Sequence, residues 1–305
     1  MQLEMPTPDL QSAPPAEADQ SSDGQLSVRN ASKFFPSLTG DGQVCVFRDV
    51  SLEIANGEFV SIIGHSGCGK STLLNIIAGF DQPTSGEILV DGKKVHGPGL
   101  DRMVVFQSFA LMPWMSAFDN VRVAVRSAFP SWDSKQVAQH TTRYLHLMGL
   151  TDIGKKMPAH LSGGMRQRVG LARAFAVQPK ALLLDEPFAQ IDALTRGSIQ
   201  DELIRMWDVA GATVCMVTHD VDEAILLSDR IALMTNGPEA RVAEIVDINI
   251  PRPRTREQLI ESDDYMRLRT RILRFLIDHN RRPTALDDTA HAMDAYPQSD
   301  ASVSD

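Results

Sequence analysis

The stretch EFVSIIGHSGCGKSTLLNIIAGF, residues 58–80, carries three signals in a row. EFVSIIG (58–64) is apolar on both faces, as a parallel strand buried under helices must be. KSTLLNIIAGF (70–80) reads as a helix. Between them, GHSGCGKST (64–72) fits G-x-x-x-x-G-K-[ST], with Gly64, Gly69, Lys70 and Ser71 in the required places. Glycines let successive backbone N–H groups curl around a phosphate without Cβ clashes. The helix after the loop points its positive end at the anion. His65, Ser66, Gly67 and Cys68 complete the cradle. Lys70 is placed to reach the β and γ phosphates, Ser71 to ligate Mg²⁺ and Thr72 to touch the α phosphate. Cys68 is a small loop side chain in this reading, with no redox task.

Outward from the loop, short apolar runs alternate with helical patterns. MVVF (103–106), ALLLD (181–185), TVCMV (213–217) and RIALM (230–234) read as strands. SKQVAQHTTRYLHLMGL (134–150), MRQRVGLARAFAV (165–177) and ALTRGSIQDELIRMWDVAG (193–211) read as helices, the last with an apolar stripe at Ile199, Leu203 and Met206. The alternation predicts an α/β fold with a largely parallel sheet. Residues 108–178 lack strand signals and read as an inserted helical subdomain.

Two further strands end in chemistry. ALLLDEP puts Asp185 and Glu186 at the strand edge where open α/β sheets bind ligands. Asp185 suits Mg²⁺, and Glu186 suits the attacking water. TVCMVTHD ends at His219, a candidate γ-phosphate contact, and MVVFQ ends at Gln107, whose amide could sense Mg²⁺ and the water. LSGGMRQR (161–168) opens another helix, so Ser162, Gly163 and Gly164 form a second anion site. The helical insert separates it from Lys70. A head-to-tail pair of chains would bring the two sites together around two nucleotides.

The order of these motifs resembles that of ABC transporter ATPase subunits over residues 25–250. The resemblance implies a P-loop NTPase (RecA-like) core with an antiparallel β subdomain and an inserted helical subdomain. It implies ATP and Mg²⁺ as ligands, and a D-loop in AQID (189–192) with Asp192, where Gln190 and Ile191 depart from the usual small residue and Leu. It also implies an aromatic residue stacked on adenine. SKFFP (32–36) offers Phe35 for that, with Phe34 adjacent as the alternative.

The chain has 305 residues, a net charge of −9, 43% hydrophobic and 23% charged residues, which suits a soluble domain with a sizeable core. The acidic balance argues against nucleic acid as a partner. No apolar run approaches the roughly 18 residues of a membrane span, and residues 1–20 do not read as a secretory signal. Three widely spaced cysteines fit a reducing compartment. One cassette without a fused span resembles a prokaryotic importer subunit. That implies a homodimer or heterodimer of cassettes, an integral-membrane permease pair, an extracytoplasmic solute-binding protein indirectly, and a place on the cytoplasmic face of the inner membrane. Leu111, Met112, Trp114 and Met115 offer a docking groove for the permease, or else simply pack the helical subdomain. MTNGP (234–238) and IPRPR (250–254) look most like nitrate, nitrite and cyanate ATPase subunits. Sulfonate, taurine or bicarbonate import and a non-transport regulatory ATPase are the alternatives. Residues 251–280 read as a helical extension, either a basic helix at the membrane or permease surface or a helix packed on the cassette. Residues 1–24 and 281–305 read as disordered tails.

Overall fold

A computed structural model describes residues 25–37 and 42–280; the two expected tails lie outside the described residues. In chain order, β1 (Leu26–Pro36), β2 (Gln43–Ile54), β3 (Phe59–Ile63), α1 (Lys70–Ala78), β4 (Ser85–Val90), β5 (Lys93–Lys94) and β6 (Arg102–Val105) come first. α2 (Ala117–Ala128), α3 (Ser134–Leu147) and α4 (Gly163–Ala176) come next. Then come β7 (Ala181–Asp185), α5 (Ala193–Ala210), β8 (Thr213–Thr218), α6 (Val221–Leu227), β9 (Arg230–Met234), β10 (Val242–Asp247), α7 (Arg256–Ile260) and α8 (Asp263–Asn280).

A six-stranded sheet runs β10-β9-β3-β8-β7-β6, and its inner pairings are parallel. Alternate residues of each strand feed two cores. Phe59 and Ile63 face one with Leu182, Leu184, Val214 and Met216. Val60 and Ile62 face the other with Leu183, Cys215 and Val217. That period of two explains why these strands read as continuous apolar runs. α1 closes the second core beneath a four-stranded antiparallel sheet of order β2-β1-β4-β5. Between β6 and β7 the chain is helical, and α2, α3 and α4 pack on one another. Among the described residues, no helix is long and apolar enough to cross a membrane.

Helix ends obey local chemistry. α1 stops at Gly79, whose φ of 82° lets its N–H return to the last carbonyls, so Phe80 falls outside the helix. α4 starts two residues before the apolar pattern suggests, because the Ser162 hydroxyl accepts from Met165 N. α5 ends in the same way as α1, at Gly211 with φ 60°. The α4–α5 contact is tight at Gly164, where a Cβ would lie 2.6 Å from Thr195 Cγ2 and 3.2 Å from Ile199 Cδ1. Gly164→Ala is expected to lower unfolding free energy by about 1–3 kcal/mol through overpacking. Denaturant unfolding monitored by circular dichroism checks this; an unchanged midpoint would show that the helices part at no cost.

Along α8, Tyr265 and Ile272 are buried, and Leu268, Phe275 and Leu276 pack against the main core. The arginines at 267, 271 and 274 lie on its exposed side. Of the two readings of the extension, the structure favours the packed helix with a solvated charged face. His279, near the end of the helix, is exposed, although its ring stacks on Phe275.

Candidate functional site

Four parallel strands end side by side, and each delivers one piece of chemistry at its C-terminal end. In spatial order they are β3 with the glycine loop, β8 with Thr218 and His219, β7 with Asp185 and Glu186, and β6 with Gln107 two residues beyond it. Register keeps the ends level, since Ile63 pairs with Thr218 and Asp185 with Val217. This edge is where open α/β sheets hold ligands.

The loop after β3 is shaped by its glycines. A Cβ at Gly64 would meet Cys68 Sγ at 2.8 Å and Met234 O at 2.9 Å. Gly69 has φ 99° and no room for a Cβ against Val46. Gly67, with φ 82°, faces open space, so a ligand can approach its backbone. Lys70 Nζ is buried and donates to Gly64 O at 2.7 Å and His65 O at 2.9 Å. The ammonium therefore already sits inside the loop. Burial pushes the Cys68 thiol up, which keeps it protonated and suits the reading of a loop filler.

Ser71 Oγ donates to Asp185 Oδ1 at 2.9 Å. Burial raises the Asp185 carboxyl, and the neighbouring Glu186 charge adds to that; the Ser71 bond and Lys70 pull the other way. A hydroxyl and a carboxylate oxygen together beside a phosphate loop are the hard donors that Mg²⁺ takes, so the residues present fit that ion. Glu186 adopts a left-handed φ of 45°, rare for a side chain of its kind, and its N–H is tied to Val217 O at 2.9 Å. The bend brings Glu186 Oε2 to 3.3 Å from His219 Nδ1. Gln107 is exposed at the end of this row. Thr72 lies in the first turn of α1, half buried.

The expected second anion site, at the start of α4, lies in a different layer. α1 packs on β6, β7 and β8, whereas α4 packs on α2, α3, α5 and β6. Ser162 caps α4 and is exposed. A Cβ on Gly163 would lie 3.6 Å from Gln190 O, so the start of α4 runs beside residues 190–192. Asp192 caps α5 by accepting from Thr195 N at 2.9 Å, and that bond holds its carboxyl below the usual range. Phe35 is exposed on β1 with Lys33 Nζ 4.8 Å from its ring centroid, while Phe34 is half buried. Of the two aromatics, Phe35 is the more exposed, and each carries a cation over its ring, Lys33 on Phe35 and Arg48 on Phe34.

Three features escaped the sequence reading. His65, expected only as part of the loop, turns its ring outward to the α8 carbonyl of Leu276 at 2.7 Å. Asn120 is fully buried and organises the turn before α2, accepting from Met112 N at 2.8 Å and donating to Met115 O and Ser116 O at 3.0 Å. The resulting groove of about 570 Å³ is lined by Trp114, Met115, Arg122, Val123 and Arg126; Leu111 packs inward. Glu223 is buried next to the strand that ends in His219.

A glycine loop gripping its own lysine, an acid pair and a histidine on one sheet edge, and a second capped helix define a P-loop nucleotide-binding cassette. The ABC transporter family profile matches residues 47–189. The nitrate import ATP-binding protein NrtD of Synechococcus elongatus is 47% identical over 86% of this chain and 95% of its own length. The bicarbonate transport ATP-binding protein CmpD of a Synechocystis species is 45% identical over 90% of this chain and 95% of its own. The ATP-binding cassette MJ0796, solved as a dimer in a post-hydrolysis state with ADP and Pi, superposes with a TM-score of 0.65 at 31% identity, covering 74% of this chain and all of that one. The chain belongs to the ABC transporter family, among its ATP-hydrolysing cassettes.

Proposed function

We propose that this chain energises import of a small oxyanion, nitrate first, as one of two cassettes beneath a membrane permease. The observation that carries the solute is the identity to a nitrate import ATP-binding protein along nearly all of that protein's length. Bicarbonate is the second reading, since a bicarbonate transport ATPase matches almost as well.

The geometry supports a division of labour among the site residues. Lys70 exchanges its two loop carbonyls for phosphate oxygens. Ser71 and Asp185, with Gln107, would hold Mg²⁺, which supplies charge neutralisation on the phosphates. Glu186 orients the attacking water and His219 steadies the γ phosphate as charge develops. Phe35 stacks on adenine. Ser162 and the N–H groups of Gly163 and Gly164 on a second cassette cap the same γ phosphate, so ATP favours the closed pair because it touches both halves only there. A dimeric relative at 31% identity supports that pairing. The Trp114 groove receives a permease segment and passes the closure on. An extracytoplasmic binding protein would deliver the solute.

The test is uptake of labelled nitrate and bicarbonate in source cells carrying the wild-type chain or Lys70→Ala. Nitrate uptake is expected to fall to background with bicarbonate unchanged. A fall in bicarbonate alone replaces the solute, and no change in either overturns both oxyanion readings and leaves a sulfonate solute or the non-transport ATPase.

A further inference from the structure

A cluster of charges around the buried Glu223, with Arg196 and Asp220 half-buried, joins two parts of the machinery that the fold otherwise keeps separate. Arg196 stands in the first turn of α5, directly after the D-loop, and its Nη2 donates to Ile191 O at 3.2 Å. The same guanidinium reaches the segment after β8: Nη1 lies 3.6 Å from Asp220 Oδ2 and Nε 3.9 Å from Glu223 Oε1. Glu223 Oε2 accepts from Thr218 Oγ1 at 2.9 Å, and Thr218 precedes His219. Glu223 Oε1 also accepts from Gln200 Nε2 at 3.2 Å. A path of hydrogen bonds and one loose ion pair, the 3.9 Å contact of Arg196 with Glu223, therefore runs from Ile191 in the D-loop through Arg196, Glu223 and Thr218 to His219.

We propose that Arg196 and Glu223 are positioning residues that couple the D-loop to the switch histidine through the Glu223 negative charge. The inference rests on the reading of His219 as the γ-phosphate contact. Two observations support it beyond proximity. First, Arg196 Nε is buried and has no hydrogen-bond partner in this state. An approach of α5 and α6 by under an ångström would turn the 3.9 Å ion pair into a hydrogen bond, so the relay tightens when the D-loop moves toward the switch. Second, Glu223 borders a cavity of about 280 Å³ lined by residues of α5, α6, α7 and α8, so the space around its carboxylate is not fully packed.

The groups that face Glu223 are Asp220 on its own helix cap, Thr218 from β8, His219 just after it, and Arg196 and Gln200 from α5. Farther around the cavity, Arg256 of α7 holds Gln200, while Tyr265 and Arg269 of α8 hold Asp222. Burial, and then the Asp220 charge, push the Glu223 carboxyl up to about 7; the Thr218 bond and the Arg196 and His219 charges oppose this. The native state thus binds this proton more tightly than the unfolded chain does. Stability from this group is lost as pH rises from about 4.5 to about 7, the interval between the ordinary and the shifted value. Turnover changes in the opposite sense, because only the ionised form holds Arg196.

The experiment compares the purified full chain with Glu223→Gln, Arg196→Gln, their double variant and His219→Ala. The readouts are kcat and KM for ATP from pH 5.5 to 9, together with Tm. Glu223→Gln is expected to lower kcat at pH 8 about fivefold, leave KM within about twofold, keep Tm at pH 8 at or above wild type, and flatten the kcat rise near pH 7. Arg196→Gln should show a similar kcat loss, and the double variant should be no worse than either single one. A Glu223→Gln profile that superposes on wild type, losses that multiply in the double variant, or kcat and Tm falling together would each overturn the relay. Wild-type turnover in His219→Ala would instead overturn the site reading on which the relay stands.

Discussion

Glu186→Gln is expected to leave ATP affinity within about twofold of wild type and to cut steady-state hydrolysis by about 10³-fold. The substitution keeps size and shape, so the left-handed turn and the tie to Val217 O persist. What it removes is the charge that faces His219 Nδ1 at 3.3 Å and, in the proposed mechanism, the oxygen pair that aligns water. With binding intact and hydrolysis gone, ATP should trap a closed pair of chains. Gel filtration with ATP and magnesium would show a shift to twice the monomer mass for this variant alone. Hydrolysis at the wild-type rate would remove Glu186 from the mechanism.

Ser162→Arg should have an effect of similar size by a different route. Ser162 is exposed and, apart from capping α4 through Met165 N, its hydroxyl faces outward. An arginine there costs roughly 1 kcal/mol in lost capping, too little to unfold the chain. Its bulk and charge would stand where a second cassette must seat a phosphate. Nucleotide binding to the loop of the same chain should persist, while ATP-driven pairing falls beyond detection and hydrolysis drops ~10²-fold or more. Equilibrium sedimentation with the hydrolysis-deficient Glu186→Gln background reads this directly. A pair of undiminished affinity would show that α4 takes no part in a composite site.

How much of this was legible in the residues depends on the kind of order involved. The loop at 64–72 and the acid pair at 185–186 could be read because buried parallel strands leave unbroken apolar runs, and phosphate chemistry constrains the residues just past their ends. The α4 start was visible through its serine cap. The antiparallel sheet was expected only by resemblance. β1 has register shifts between Val28 and Ala31, Ala31 and Lys33, and Lys33 and Phe34 that break any period of two. α2 was not singled out within the helical insert; its start is fixed by the Ser116 cap and the buried Asn120 amide, contacts that show only in the folded turn. Glu223 carried a faint signal, an acid facing the apolar run AILL early in a capped helix, but its burial depends on α5 closing over it. The bond from His65 to Leu276 joins residues 211 apart and depends wholly on how α8 docks.

The place of β3 in the sheet has a consequence for synthesis of the chain. Val60 pairs with Cys215 on one side and with Arg230 on the other. The phosphate-loop strand leaves the ribosome early and meets its first in-register neighbour about 150 residues later. At ~5–20 residues per second, that strand spends roughly 8–30 s without either flank. During that interval FVSII lacks both of its flanking strands, although α1 and the antiparallel sheet can already cover the side of Val60 and Ile62. Chaperones that guard such segments would therefore have their longest engagement with the very piece that later holds the nucleotide, and a ribosome stalled before residue 213 would release a cassette without its central pairing.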